Sequence, residues 1–228
     1  MEVDPVTAHR RRGGGETDAA DIVLAGRRGD TVSARRALSS SDPRLREVAL
    51  GALHRANALD DDTLVRVLRS DPVAGVRRRA CDLAAPRART GRLTTELRRA
   101  LGDPDALVAE AACWALGELY AGKHRCTQAV AELSKVASAH ADARVREAAI
   151  AALGSIGHET GLRAVLDALG DRPSVRRRAV VALAAFDGEE VADALERGTS
   201  DRDWQVREVA EILLDGAWGD DRQHDADE

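Results

Sequence analysis

The chain has 228 residues, 44 % hydrophobic but only 2 % aromatic, with a formal net charge of −5. This composition excludes an intrinsically disordered chain and a generally basic nucleic-acid binder, and no run of about 18 apolar residues offers a membrane span. The apolar residues are chiefly Ala, Leu and Val, which suits closely packed helices better than a β-sandwich.

Residues 1–17, MEVDPVTAHRRRGGGET, carry arginines but no apolar segment after them, so they read as a disordered N-terminal segment and not a signal peptide. Ala19–Gly26 and Thr31–Leu38 follow as two short helical stretches, a degenerate first unit of what comes next. Six segments then repeat one form, an Asp, often a Pro, an apolar residue, usually an Arg, and an Ala/Leu-rich run. They are DPRLREVALGAL from Asp42, DPVAGVRRRACDLA from Asp71, DPDALVAEAACWAL from Asp103, DARVREAAIAAL from Asp142, DRPSVRRRAVVAL from Asp171 and DRDWQVREVAEILL from Asp201. Their apolar anchors, Leu45, Val76, Val108, Val145, Val175 and Val206, are spaced by 31, 32, 37, 30 and 31 residues. A period in this range marks a repeat architecture.

Each anchor opens an apolar stripe. From Val145 the stripe takes in Ala148, Ala149, Ala152, Leu153 and Ile156, at i+3, i+4, i+7, i+8 and i+11, one face of a helix. The Asp before it is placed to cap the helix N-terminus. A short break and a second apolar stretch follow, as in Leu64–Leu68, Leu162–Leu169 and Val191–Leu195. Each unit therefore predicts two antiparallel helices too short to stand alone, and neighbouring pairs must stack to bury a core. The expected fold is all-α, a right-handed α-solenoid over residues 18–218, with 219–228 a disordered acidic tail.

The motif D-P-x(1–3)-V-R-x-x-A-x-x-A-L-G-x-[LI]-G, clearest in Asp142–Gly157, resembles the HEAT repeat family, in its short PBS-lyase-type class of about 30 residues per unit. The resemblance implies a binding scaffold. It also implies that the Arg after each anchor lies near an Asp of its own or the adjacent unit. That gives a structural ladder of Arg46, Arg77, Arg146, Arg176 and Arg207 with Asp42, Asp71, Asp142, Asp171 and Asp201.

Enzymes of this repeat class provide tests. Deoxyhypusine hydroxylases, which resemble it, hold two irons through His-Glu pairs early in successive helices. Here those starts read REVA, RRRA, AEAA, REAA, RRRA and REVA, and the single His158-Glu159 lies in a turn. No Gly-rich phosphate loop, HExxH or metal-ligand spacing occurs, so neither catalysis nor a cofactor or metal is expected. A lyase or chaperone for a prosthetic group is the remote alternative.

Partner-surface candidates come from charge and irregularity. Residues 66–99 carry ten arginines against three acids, among them Arg79, Arg87, Arg89, Arg92, Arg98 and Arg99, which suits an acidic partner or a nucleic acid as the alternative to a protein partner. The long step between Val108 and Val145 holds AGKHRCTQ, with Lys123, His124, Arg125 and a Cys126 whose thiol such neighbours would acidify. Trp114 and Trp204 are candidates to face a groove, and the concave side, lined by the second helices, is the expected interface. Arg79 and Arg178, the third arginines of two VRRRA motifs, occupy an i+3 slot that is apolar in the other units. Cys81, Cys113 and Cys126 form no CxxC and leave an odd cysteine, which suits a cytoplasmic setting.

Overall fold

The computed structural model describes residues 18–87, 91–123 and 126–224, the side chains of 217–224 excepted. Among them the chain forms thirteen α-helices and no strand. Two compact units divide it, 1–58 and 59–228. The first holds α1 (Ala19–Arg27), α2 (Thr31–Ala37) and α3 (Pro43–Arg55). There α1 and α2 both pack on α3, and Gly26 lies so close to Ala52 that an added Cβ would come within 2.7 Å of the Ala52 methyl.

The second unit holds α4 (Asp61–Ser70), α5 (Ala74–Ala84), α6 (Gly91–Ala100), α7 (Ala106–Tyr120), α8 (Thr127–Ala139), α9 (Ala143–Ile156), α10 (Leu162–Asp167), α11 (Pro173–Leu183), α12 (Glu189–Gly198) and α13 (Trp204–His224). It is an α-solenoid. The first helices of the repeats, α5, α7, α9, α11 and α13, stack each on the next, and the second helices pack beside them. Small residues set this stacking distance. Gly117 and Gly154 would each bring an added Cβ to 3.0 Å from the Cα of Ala152 and Ala182, one repeat on.

Most first helices start on an aspartate cap. Asp42 accepts from the amide of Arg44 at 2.8 Å, Asp105 from Leu107 at 2.9 Å, Asp142 from Arg144 at 2.8 Å and Asp203 from Gln205 at 3.0 Å. Helix α9 ends at Gly157, whose φ of 64° is the left-handed cap that glycine adopts without strain.

The buried stripe differs from the expected one in a consistent way. The anchors and their +4 and +8 positions are buried in most repeats, as in Val145, Ala149 and Leu153, with Leu45 and Leu214 left partly open. The +5 position is buried too, by Leu50, Cys81, Cys113, Ile150 and Val180, each fully. The +3 position, expected in the core, instead opens to the surface at Val48, Ala148 and Val209, while Ala111 stays buried as expected. The stripe is thus rotated about the helix axis, and Arg79 and Arg178 sit at its open margin.

The insertion in the third repeat lengthens helices more than it builds a loop. Helix α7 has 15 residues and α8 has 13, against 11 and 10 for α5 and α6. Cys126, at the start of α8, is buried, and its thiol donates to the Lys123 carbonyl at 2.9 Å. Burial pushes its pKa up, which corrects the expectation of an acidified thiol. Burial likewise pushes Cys81 and Cys113 up to about 12. Of the two terminal segments expected without structure, 1–17 lies outside the described residues, and so does the acidic tail except for the backbone of 219–224, which continues α13.

Candidate functional site

The Arg after each anchor reaches in two directions. Arg77, Arg146, Arg176 and Arg207 donate from one terminal nitrogen to a backbone carbonyl just before their own helix, Asp71, His140, Asp171 and Asp201, at 2.8–3.0 Å. The other side of the guanidinium grips the carboxylate of the following repeat with two bonds. Arg77 meets Asp103 at 2.8 and 2.7 Å, Arg146 meets Asp171 at 2.7 and 2.7 Å, and Arg176 meets Asp201 at 2.9 and 2.8 Å. Arg46 donates to the Ser40 carbonyl at 2.9 Å. Asp71 accepts from the amide of Val73 at 3.0 Å.

These rungs correct the expected pairing at three residues. Asp42 and Asp142 are helix caps and not the rung partners of Arg46 and Arg146, because they stand two residues past the position that a preceding Arg reaches. Asp103 is a rung partner although its own repeat has Ala109 in place of the Arg. The signal was present in the offset: Asp71, Asp103 and Asp201 all lie five residues before their anchor. At that offset the first and fourth repeats have Ser40 and His140, which accept from the amides of Asp42 and Asp142 at 3.1 Å each, and the fifth has Gly170, its rung Asp171 standing one residue later. The rung arginines hold the Asp171 and Asp201 carboxyls below the usual range. At Asp103 burial pushes upward, but Arg77 and the Asp105 amide outweigh it and the net direction is down.

Most arginines of the basic block 66–99 have partners within the fold. Six of its ten arginines face carboxylates: Arg69 and Arg99 meet Glu96, Arg77 meets Asp103, Arg79 meets Asp82, Arg92 meets Asp62 and Arg98 meets Glu132. Arg87 donates to the Leu59 carbonyl. Lys123 is similarly taken up by the Leu119 carbonyl. Arg89, His124 and Arg125 lie outside the described residues. Three of these carboxylates, Asp62, Asp103 and Glu132, come from outside the block and reduce the excess charge that the sequence shows.

Grooves open over both helix layers, and one of them runs over the first helices, whereas the interface was expected along the second. A groove of about 790 Å³ crosses α5, α7, α9 and α11. Its floor is Ala111, Gly117, Ala148, Ala151 and Ala152, with the indole of Trp114, 49 % exposed, rising from it. Arg78, Arg79 and Asp82 line it from α5, Glu110 and Glu118 from α7, Arg144 and Glu147 from α9, and Arg178 from α11. A second depression of about 320 Å³ runs over Arg177, Val181, Gln205 and Val209 toward α13. The groove is thus the surface traced by the +2, +3 and +6 positions of successive repeats. Two adjacent repeats have alanine at +3 where the repeats on either side have arginine, and that loss of bulk makes the depression.

Of the sequence candidates, the structure brings Arg79, Trp114 and Arg178 into this one groove. Trp204, 60 % exposed at the start of α13, is not among its lining residues. Arg78, Glu110, Glu118 and Glu147 were missed, although the same repeat offsets point to them. Among the described residues no three His, Cys, Asp or Glu side chains are placed to hold a metal ion. His158 caps the turn at Glu159–Gly161, its ring facing the Thr160 hydroxyl at 2.9 Å. No helix among the described residues is long and apolar enough to cross a membrane.

Two family models match, one for HEAT repeats over residues 130–215 and one for a HEAT repeat over 93–122. No curated protein matches the chain. Among solved structures, YibA of Escherichia coli is similar at 18 % identity and TM-score 0.64, covering 90 % of this chain and 77 % of YibA. A designed armadillo repeat protein in complex with the peptide (KR)4 is similar at 19 % identity and TM-score 0.59, over 81 % of this chain and 98 % of that one. Cex1p is similar at 16 % identity and TM-score 0.58, over 87 % of this chain and 42 % of its own.

Proposed function

The chain belongs to the HEAT repeat family, and on that premise we propose that it is a non-catalytic scaffold holding a segment of a protein partner in the groove across α5, α7, α9 and α11. The observation that carries this reading is the half-exposed Trp114 on an alanine floor inside that groove. A large aromatic ring left in water forgoes the gain of burial, and rings of this kind anchor protein interfaces. The designed armadillo repeat protein of the same fold holds a peptide, which supports the analogy. A cytoplasmic setting is part of the reading, supported by three buried free thiols. The nucleic-acid alternative is the weaker one, since most arginines of the 66–99 block already face carboxylates or carbonyls, and few are left to neutralise phosphates.

The test is selection of random twelve-residue peptides on the full chain, followed by binding measurements with Trp114→Ala. Selected peptides are expected to lose at least tenfold in affinity with the variant. Undiminished binding would place the interface elsewhere and overturn the groove. Random duplex DNA is expected to show no binding at low salt. A steep salt-dependent affinity there would favour the nucleic-acid reading instead.

A further inference from the structure

Resting on that reading of the groove, we infer that its occupant is an extended protein segment patterned acidic–basic–acidic, with a lysine or arginine side chain stacked on Trp114. Glu110 and Glu118 stand at i−4 and i+4 from Trp114, one helical turn to either side, so the indole rises between two carboxylates. Glu147 lines the same groove from α9. Among the described residues Glu110 and Glu118 take part in no ion pair, and Glu110 is half-buried.

An aliphatic side chain seated on Trp114 would strip water from these carboxylates and give nothing back. A cation neutralises them and is drawn to the ring face, while its methylene stem lies on the alanine floor. The chemistry of the subsite therefore selects a long-stemmed cation over a Leu or Phe.

The two ends of the groove have the opposite sign. Arg78 is exposed and in no ion pair among the described residues, and Arg79 is held only by Asp82, at 4.0 Å. At the far end Arg178 is held by Glu147 at 3.5 Å, with Arg177 beside it turned to Gln205. Such loose, solvent-facing pairs exchange partners at little cost, so carboxylates of a bound segment can displace them.

Helix spacing turns this layout into a register. Adjacent helix axes lie about 9 Å apart, so the step from α5 to α7 is about 9 Å and from α7 to α11 about 18 Å. An extended chain advances about 3.3 Å per residue. The basic residue on Trp114 then lies about three residues from one acidic residue and about five or six from the other. The occupant is an asymmetric, nearly neutral segment, and a uniformly basic one fits poorly because its ends would meet arginines.

Three labelled twelve-residue peptides test this by fluorescence anisotropy on the full chain. One carries the acidic–basic–acidic register, one has the acidic and basic positions exchanged, and one alternates lysine and arginine. The patterned peptide is expected to bind at least tenfold tighter than either control. Glu110→Gln with Glu118→Gln is expected to weaken it about tenfold, with the circular dichroism spectrum unchanged. No binding of the patterned peptide, equal binding of the exchanged one, tighter binding of the alternating one, or indifference to the Gln pair would each overturn the charge layout. The groove itself is judged apart from this, since library-selected peptides of any pattern must still depend on Trp114.

Discussion

Between α9 and α11 the repeat stack is bridged by Arg146 and Asp171, whereas between α7 and α9 the corresponding positions are Ala109 and His140. Both members of the rung are missing together. In the first unit the same coincidence recurs, with Val23 after the buried Ile22 and Ser40 at the acidic position. A half-buried Asp without its Arg would be an uncompensated charge, so the rung behaves as a pair. What is retained in either case is the backbone duty: His140 and Ser40 still accept the amide two residues on, as Asp103 and Asp201 do. The step without a rung is held by apolar contact instead, through fully buried Ala109 and the close approach of Gly117 to Ala152. That step also carries the floor of the groove.

The largest effect should come from a residue behind both steps. Leu153 is 1 % exposed, and Leu153→Asp is expected to cost about 4 kcal/mol or more and to abolish the cooperative melt of the second unit. A melting curve like that of the wild type would show the core register to be wrong. Next comes the rung itself. Arg176→Ala leaves Asp201 without its guanidinium at a site where the two side chains are 5 % and 17 % exposed, and should cost about 3 kcal/mol in urea unfolding. Adding Asp201→Ala should recover part of that loss, and no recovery would mean that Arg176 acts by packing alone.

Acid should then separate bridged from unbridged steps. The Asp171 and Asp201 carboxyls are lowered by Arg146 and Arg176, so the rungs stabilise the fold above the ordinary carboxylate pKa of about 4. That contribution is lost as pH falls through the lowered folded values. The Arg176→Ala, Asp201→Ala double variant should therefore lose less stability than the wild type between pH 5 and pH 2, by about 1 kcal/mol. Parallel curves would deny the rung its electrostatic role. The smallest effect belongs to Arg92, whose pair with Asp62 is 73 % and 79 % exposed. Arg92→Ala should change stability by less than about 0.5 kcal/mol, which the same urea unfolding would measure.

Some of this was legible before folding. The Asp caps follow from side-chain chemistry within two residues, and Asp42 and Asp142 are read correctly as caps even though their place in the rungs was not. Arg79 and Arg178 were marked by breaking an apolar column. Glu110 and Glu118 were not, because on one helix a Glu spaced by four from a Trp looks like any solvated face. The basic block misled for a related reason: its partners Asp62, Asp103 and Glu132 lie outside residues 66–99, and only the stacking of repeats brings them to it.

The sequence by itself determined the repeat, the pairing of helices and the anchor of each stripe, since a period of about 30 residues and a turn of 3.6 are local, one-dimensional patterns. The tertiary structure alone decided which margin of the stripe is buried. Positions +3 and +5 lie on opposite sides of the same apolar face, and alanine at +3 is as apolar as the residues at +5. Only the place where the next helix comes to rest buries one and leaves the other as the floor of a groove.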